Sequence, residues 1–169
     1  TAHVVPQGRP ESAQGKAGPT IPRHRCNGGA PRVDALNIRD VVLVASGGAV
    51  GSVLRYAVTG IAQRLYASGG SAVASFPVGT LVVNVTGSFL IGLLMGLAES
   101  RAVFGAEARL LLVTGLLGGY TTFSAFSLET LLLFRAGQTG TAVGSVFLQV
   151  LLGIAAAFAG FTAGMPARP

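Results

Sequence analysis

Four long apolar stretches dominate this sequence and limit what it can fold into. They cover residues 41–62, 76–98, 110–134 and 141–163. Each is close to the roughly 20 residues that an α-helix needs to cross the hydrocarbon core of a bilayer. The helices of a soluble bundle would each need a polar stripe facing water, and these stretches lack one. The sequence therefore predicts an all-α integral membrane protein with four transmembrane helices.

The charged residues are few and lie mostly outside the apolar stretches. They make up 11% of the 169 residues, against roughly 25% in an ordinary soluble domain. The formal net charge is +6, but no aromatic residues interleave the basic ones as they do in single-strand nucleic-acid binders. We interpret this charge as membrane-surface charge and expect no nucleic-acid partner. Neither a nucleophile with a base nor a phosphate loop or metal cluster is evident, so we predict no enzymatic activity.

The N-terminal segment differs in composition from the rest of the chain. Residues 1–38 are rich in Pro, Gly and Ala and contain no apolar run that could form the core of a signal peptide. We predict a disordered basic tail over 1–38 and one transmembrane channel domain over 39–165. The connections between the apolar stretches are short, so successive helices should be antiparallel neighbours in one bundle.

Glycines four residues apart occur within or at the end of every apolar stretch, and small residues at this spacing let helices pack closely in a bilayer. The pairs are Gly47 and Gly51, Gly92 and Gly96, Gly115 and Gly119, and Gly160 and Gly164. The third stretch also contains Gly118-Gly119-Tyr120-Thr121-Thr122, which is a poor helix interior. We predict that the third helix is broken at its centre, at the paired glycines. Such a break frees backbone carbonyls that protein, water or a cation must satisfy.

Polar and aromatic side chains within the apolar stretches are candidates for function. Arg55, Asn84 and Glu129 are expected in the same half of the bundle, because the helices alternate in direction. Arg55 and Glu129 could instead snorkel or pair with each other, and Asn84 could form an interhelical hydrogen bond. Phe123 and Phe126 project from one helix face. Their positive ring edges could meet an anion, although this spacing also fits core packing.

Three motifs resemble those of the CrcB or Fluc family of fluoride channels, and the similarity covers about residues 41–163. They are Gly47-Gly48-x-x-Gly51-x-x-x-Arg55-Tyr56, Phe76-Pro77-x-Gly79-Thr80-Leu81-x-x-Asn84-x-x-Gly87-Ser88-Phe89, and Gly118-Gly119-x-Thr121-Thr122-Phe123-Ser124-x-Phe126-Ser127-x-Glu129. The resemblance implies a four-helix subunit in the cell membrane that pairs head to tail into an antiparallel, dual-topology dimer. It implies two parallel pathways for passive fluoride efflux, which would reduce cytoplasmic fluoride toxicity.

The resemblance also implies roles for single residues. Asn84 would donate a hydrogen bond to fluoride, and Phe123 and Phe126 would line the pathway with ring edges. Arg55 would place positive potential near an aqueous entrance, and Glu129 would lie near the pathway end. The residues assigned to the pathway are Asn84, Phe123, Phe126, Thr122, Ser145, Arg55 and Glu129.

Two further expectations come from the same resemblance. The backbone carbonyls of Gly118 and Thr121 would bind a central structural sodium ion shared by the two subunits. The fourth helix departs from the family pattern, in which a Tyr and a Ser or Thr act as hydroxyl donors. Ser145 and Gln149 align with those positions, and both can donate a hydrogen bond. Such neutral donors could replace the water around fluoride and still bind weakly enough for release.

Two other functions stay open from the sequence alone. A small dual-topology, proton-coupled cation exporter would need a carboxylate in the middle of a helix, and the first helix has none. A non-transporting membrane scaffold subunit would leave the break in the third helix and its hydroxyl groups without a role.

The distribution of arginines bears on the dimer. Both ends of the chain and the 99–109 loop carry many arginines, which should hold the termini in the cytoplasm. These arginines are Arg25, Arg32, Arg39, Arg101, Arg109 and Arg168, against Arg64 and Arg135 on the other side. An antiparallel homodimer needs chains inserted in both directions. Either the tail charges do not count towards insertion, or a homologous chain of opposite bias completes a heterodimer.

Overall fold

The computed structural model of this chain describes residues 37–69, 75–101 and 104–165. Apart from residues 37 and 38, the predicted tail lies outside the described residues. The described residues contain four helical spans that are long and apolar enough to cross a membrane: Ile38–Ser68, Val78–Ser100, Ala106–Arg135 and Thr139–Gly164. The predicted all-helical architecture with four spans is confirmed.

The first helix, α1 (Ile38–Ser68), is longer than the apolar stretch that predicted it. It begins inside the predicted tail, where the side chain of Asn37 accepts a hydrogen bond from the backbone N–H of Arg39 at 3.1 Å. This contact satisfies one of the free N–H groups in the first helical turn. At the other end, α1 continues past residue 62 through Arg64 to Ser68. Hydropathy marks where a helix meets the lipid, whereas the helix itself extends into the polar interface.

The helices α2 (Val78–Arg101) and α6 (Thr139–Gly164) pack closely along their glycine pairs. A Cβ added at Gly92 would lie 2.0 Å from the carbonyl oxygen of Ala157 in α6. A Cβ added at Gly160 would lie 2.0 Å from the carbonyl oxygen of Phe89 in α2. The two backbones are therefore in direct contact, as the spacing of small residues predicts.

The third span consists of four consecutive segments. These are α3 (Ala106–Arg109), a π-helical stretch (Leu110–Leu117), α4 (Gly118–Tyr120) and α5 (Phe123–Arg135). Between α4 and α5, the backbone of Thr121 (φ −77°, ψ 156°) and of Thr122 (φ −149°, ψ 114°) is extended. The predicted central break in the third helix is thus confirmed.

The position of the break differs from the prediction, because Gly118 and Gly119 are themselves helical. Gly119 is required for packing: a Cβ there would lie 2.5 Å from the carbonyl oxygen of Gly48 in α1. At Gly51, an added Cβ would similarly lie 2.1 Å from the carbonyl oxygen of Leu116. These glycines hold α1 against the third span, and the chain leaves the helix only at Thr121, after the last of these contacts.

The connections place four helix ends on one side of the bundle: the end of α1, the start of α2, the end of α5 and the start of α6. Neighbouring spans are therefore antiparallel, as predicted. Large apolar side chains, among them Tyr56, Phe147 and Phe158, are exposed on the outside of the bundle. This is the surface expected where lipid or another subunit covers the protein.

Candidate functional site

Asn84 in α2 forms hydrogen bonds with the backbone at the break in the third span. Its Oδ1 accepts a hydrogen bond from the backbone N–H of Thr122 at 2.9 Å, and its Nδ2 donates to the carbonyl of Thr122 at 3.1 Å. The second Nδ2 hydrogen bond goes to Oε1 of Gln149 in α6 at 2.7 Å. One amide therefore connects three spans in the interior of the bundle. The interhelical hydrogen bond left open by the sequence is present.

Thr122 begins α5 inside the bundle. Its side chain is 8% exposed, and its Oγ1 accepts a hydrogen bond from the backbone N–H of Ala125 at 3.2 Å. This is the usual capping contact of a Thr before a helix. The N–H of Thr122 donates to Asn84, and the N–H of Ala125 donates to the hydroxyl of Thr122. Two backbone N–H groups that the interrupted helix would otherwise leave unpaired in lipid are thereby satisfied.

The break leaves the carbonyl groups of residues 118–121 without their helical donors, among them those of Gly118 and Thr121. In an uninterrupted helix, the N–H of Thr122 would reach the carbonyl of Gly118, and the N–H of Ala125 would reach that of Thr121. Here these N–H groups donate to Asn84 and to the Thr122 hydroxyl instead. In the described part of the chain, no other backbone N–H donates to these carbonyls. Gly118 is exposed on the outside of this subunit.

An open cavity of about 350 Å³ lies beside the break. It is lined by Asn84, Gly87, Ser88, Ile91, Val113, Leu117, Gly118, Thr121, Thr122 and Phe123. The ring of Phe123 is 78% exposed, and its centroid lies 5.5 Å from that of Phe126 at an interplanar angle of 55°. The predicted sharing of one helix face by these two rings is confirmed. Phe123 therefore lines the same cavity as Asn84, Gly118 and Thr121.

The fourth span contributes two buried donors on one face, Ser145 and Gln149. Their side chains are 1% and 7% exposed, respectively. Among the described residues, neither the hydroxyl of Ser145 nor Nε2 of Gln149 has a hydrogen-bond partner. A buried polar group left unsatisfied costs about 1–3 kcal/mol. Unpaired donors at this depth therefore indicate that something else satisfies them.

Glu129 lies further along α5, towards the side where α5 ends. Its Oε1 accepts a hydrogen bond from the hydroxyl of Thr80 in α2 at 2.7 Å, while its Oε2 is buried and unpaired among the described residues. A second cavity, of about 410 Å³, reaches Glu129 from this end. Pro77, Leu133 and Ala136 are among its other lining residues. The carboxylate thus stands between this end cavity and the polar interior.

Arg55 lies at the depth that the sequence predicted, but it pairs with no acidic residue in the described part of the chain. In α1 it stands between Gly51, which packs on the third span near Tyr120, and Thr59, which packs on Gly79 at the start of α2. It is therefore in the same half of the bundle as Glu129. Across residues 37–69, 75–101 and 104–165, the ion pair recorded is that of Arg39 with Glu107, at 2.7 Å. Within this subunit, Arg55 and Glu129 do not pair with each other.

Two contacts at this site were not predicted from the sequence. Thr80 was noted only as part of a motif, yet it holds Glu129. The four-residue spacing of Thr80 and Asn84 places both on one face of α2, and this signal could have identified Thr80. The contact of Gln149 with Asn84 has no such signal, because it depends on how α2 and α6 meet.

Comparison with known sequences assigns the chain to a family. A family model described as "CrcB-like protein, Camphor Resistance (CrcB)" matches residues 42–161. The chain belongs to the CrcB family. The match runs from the first turns of α1 to the last turn of α6, so the whole four-span bundle of this CrcB protein lies within it. With its four apolar spans, it is a multi-pass membrane protein.

Bacterial relatives cover the same part of this CrcB protein. A "Fluoride-specific ion channel FluC" of Agrobacterium fabrum is 48% identical over 125 residues, which are 74% of this chain and 95% of the relative. A protein of the same name from Thermus thermophilus is 48% identical over 123 residues, 73% of this chain and 93% of the relative. A third, from Methylobacillus flagellatus, is 42% identical over 121 residues, 72% and 91% of the two chains.

Proposed function

We propose that this chain forms a fluoride-selective ion channel that lets fluoride leave the cell passively. The observation that carries this proposal is a set of neutral donors buried at membrane depth beside a broken helix. Ser145 and Gln149 offer unpaired donors there, and Asn84 and Thr122 lie beside them. The relatives named fluoride-specific ion channels span the same helices.

The donor set suits a small, strongly hydrated anion. Fluoride gives up its water only if other donors replace it, and it leaves the pore only if none of them binds it too tightly. Thr122, which precedes α5, and Ser145 and Gln149 in α6 supply hydroxyl and amide groups, not ammonium or guanidinium groups. The ring edges of Phe123 and Phe126 add weak positive potential. Such a site supports selective conduction over tight binding.

The charged residues assigned to the pathway, Arg55 and Glu129, lie towards the same end of it. The hydrogen-bonded pair of Glu129 and Thr80 lies between the polar interior and the end cavity of about 410 Å³. Arg55 lies in the same half of the bundle with no acidic partner among the described residues, so its positive potential is available to attract an anion. In this proposal, Arg55 attracts fluoride, while Glu129 orients Thr80 at the pathway end.

We propose that two subunits pair in antiparallel orientation. The central cavity is open on the outside of the subunit, and the exposed ring of Phe123 stands at its edge. A second chain lying across this face would cover the ring and enclose the cavity between the subunits. The partner is an identical chain or a homologous one of opposite orientation.

We also propose that a sodium ion stabilises this dimer at its centre. Gly118 and Thr121, whose carbonyls have no backbone donor among the described residues, line the same open cavity. Neutral carbonyl oxygens suit a hard monovalent cation, and oxygens from two antiparallel subunits would supply a larger set than one chain can. The ion would have a structural role, and the fluoride route would run beside it.

The proposed channel is a passive pore in the cell membrane and not an enzyme. The test is flux from vesicles reconstituted with the purified protein, preloaded with either fluoride or chloride and supplied with no proton gradient or nucleotide. We expect rapid fluoride efflux and little chloride efflux. Equal rates for the two anions, or fluoride movement that stops without a proton gradient, would overturn the proposal.

A further inference from the structure

The hydrogen bonds around Asn84 determine which end of the Gln149 amide faces which way. The backbone N–H of Thr122 can only donate, so it identifies the Asn84 atom at 2.9 Å as the oxygen. The carbonyl of Thr122 can only accept, so the other Asn84 atom is the nitrogen. That nitrogen also donates to Gln149 at 2.7 Å, and the Gln149 atom facing it must therefore be Oε1. Nε2 of Gln149 consequently points away from Asn84.

This orientation leaves Asn84 without a free N–H. Both hydrogens of its Nδ2 are engaged, one with Thr122 and one with Gln149. Gln149, by contrast, has free N–H groups. Its side chain is 7% exposed, its oxygen is paired, and its Nε2 has no partner among the described residues.

A second free donor stands on the same face of α6. Ser145 precedes Gln149 by four residues, or about 6 Å along the helix axis. Its side chain is 1% exposed, and its hydroxyl is also unpaired among the described residues. Amide N–H groups cannot bind a cation. The two residues together therefore require a ligand that accepts hydrogen bonds.

We propose that Gln149 is the amide that contacts fluoride directly, and that Asn84 acts as a positioning residue which holds Gln149 by its oxygen. This division of roles rests on the proposed fluoride permeation and changes one expectation from the sequence, in which Asn84 itself donates to the ion. Fluoride would pass from the Gln149 amide to the Ser145 hydroxyl, one turn along α6. Asn84 keeps its own hydrogen bonds during this passage, so the break in the third span stays intact.

Two substitutions at Gln149 distinguish the role of its amide oxygen from that of its NH₂ group. Q149E keeps an oxygen towards Asn84 and replaces only the free NH₂ with a second oxygen. Q149M has a similar length but removes both polar atoms. If Gln149 donates to fluoride, both variants should lower fluoride efflux from vesicles by about tenfold or more, because each loses a hydrogen bond to a charged ligand. Normal efflux in Q149E would show that Gln149 serves only to support Asn84, because this variant keeps the oxygen towards Asn84 and has no NH₂ to donate.

A matched control lies on the same helix. The hydroxyl of Thr162 is exposed and donates within α6 to the carbonyls of Phe158 and Ala159, at 3.1 and 2.9 Å. T162V should leave fluoride efflux unchanged. Size-exclusion elution and helical circular dichroism of all three variants should match those of the unmodified protein.

A spectroscopic readout tests the contact without relying on flux. In full-length protein labelled with ¹⁵N-glutamine, the side-chain NH₂ signal of Gln149 is identified by its absence in Q149M. Adding sodium fluoride should move this signal, and sodium chloride at equal concentration should not. The amide of Gln63, which donates to the carbonyl of Phe76 at 3.4 Å, serves as the internal reference.

The outcomes distinguish this role from the proposed function. Fluoride-selective efflux in the unmodified protein, combined with normal efflux in Q149E, would overturn the role of Gln149 and leave the channel in place. A Gln149 signal that ignores fluoride would mean that water occupies the donor, and would also overturn it. Loss of fluoride selectivity in the unmodified protein would overturn the proposed function and this role together.

Discussion

Replacing Gly160 by Ala should destabilise the bundle through one backbone contact. The added Cβ would lie 2.0 Å from the carbonyl oxygen of Phe89 and 2.9 Å from the backbone nitrogen of Leu93. Ordinary contacts of this kind are about 3.5 Å, so α6 and α2 would have to separate by roughly 1.5 Å at this level. Backbone atoms cannot rotate out of the way as a flexible side chain can. Overpacking of this kind costs about 1–3 kcal/mol.

Gly144 provides the matched control on the same helix. A Cβ at Gly144 meets nothing within 4 Å, and replacing a helical Gly by Ala otherwise favours the helix by roughly 0.5–1 kcal/mol. Thermal unfolding in detergent, followed by size-exclusion chromatography of heated samples, compares the two variants. G160A should melt roughly 3–10 °C below the unmodified protein, and G144A at or slightly above it. If G160A melted at the same temperature as G144A, the close contact of α2 and α6 would be refuted.

Three more predictions concern the pathway, the cation and the orientation. F123I and F126I should each lower fluoride efflux while the dimer stays folded, because Ile is apolar but has no ring edge. N84D should lower it further, because it places a second oxygen opposite the carbonyl of Thr122; normal efflux in all three variants would return these residues to a packing role. Sodium should raise the melting temperature relative to a bulky organic cation, since an ion bound only by the native state stabilises it by mass action; equal melting temperatures would contradict the sodium site. Single cysteines at Gly105 and Gly137, introduced after replacing Cys26, should each react with a membrane-impermeant reagent from both sides if the dimer contains identical chains. Labelling of each position from one side only would exclude the homodimer and favour the heterodimer.

The four helices could be predicted because hydropathy reports directly on the environment of each span. The helix lengths were harder to predict, since α1 continues through Arg64 to Ser68 although its apolar stretch ends earlier. A long arginine side chain can reach the interface from a helix that is still regular. Apolar content therefore identifies the membrane-crossing part of a helix better than it identifies its ends.

The break in the third span shows why its position could not be read from glycine alone. Paired glycines weaken a helix, but Gly119 is helical, and its missing side chain lets Gly48 of α1 approach it closely. The chain becomes extended at Thr121 and Thr122 because Asn84 offers Thr122 two hydrogen bonds in place of those of the helix. That partner comes from another span, so no local pattern around the glycines could place the break.

Some residues of the candidate site could likewise be predicted from the sequence, and others could not. Asn84, Phe123 and Glu129 stood out in the sequence because polar or paired aromatic residues within apolar stretches are few. The importance of Gln149 depends on the direction of one amide, which is determined by the backbone of a different span. Sequence spacing predicts which residues share a face, whereas the assignment of free donors requires the full hydrogen-bond network.

The interruption between α4 and α5 has an electrostatic consequence that no side chain produces. Aligned peptide groups give a helix roughly half a positive elementary charge at its start and half a negative one at its end. Because α5 begins at Phe123 and the preceding helical segment ends at Tyr120, both half-charges lie in the interior of the bundle, separated by the two extended residues Thr121 and Thr122. An anion beside Thr122 and a cation beside the carbonyl of Gly118 would each meet a favourable field in a medium that screens little. Since the backbone generates both fields, exchanging the side chains of this segment would leave them in place, and only a substitution that restored a continuous helix would abolish them.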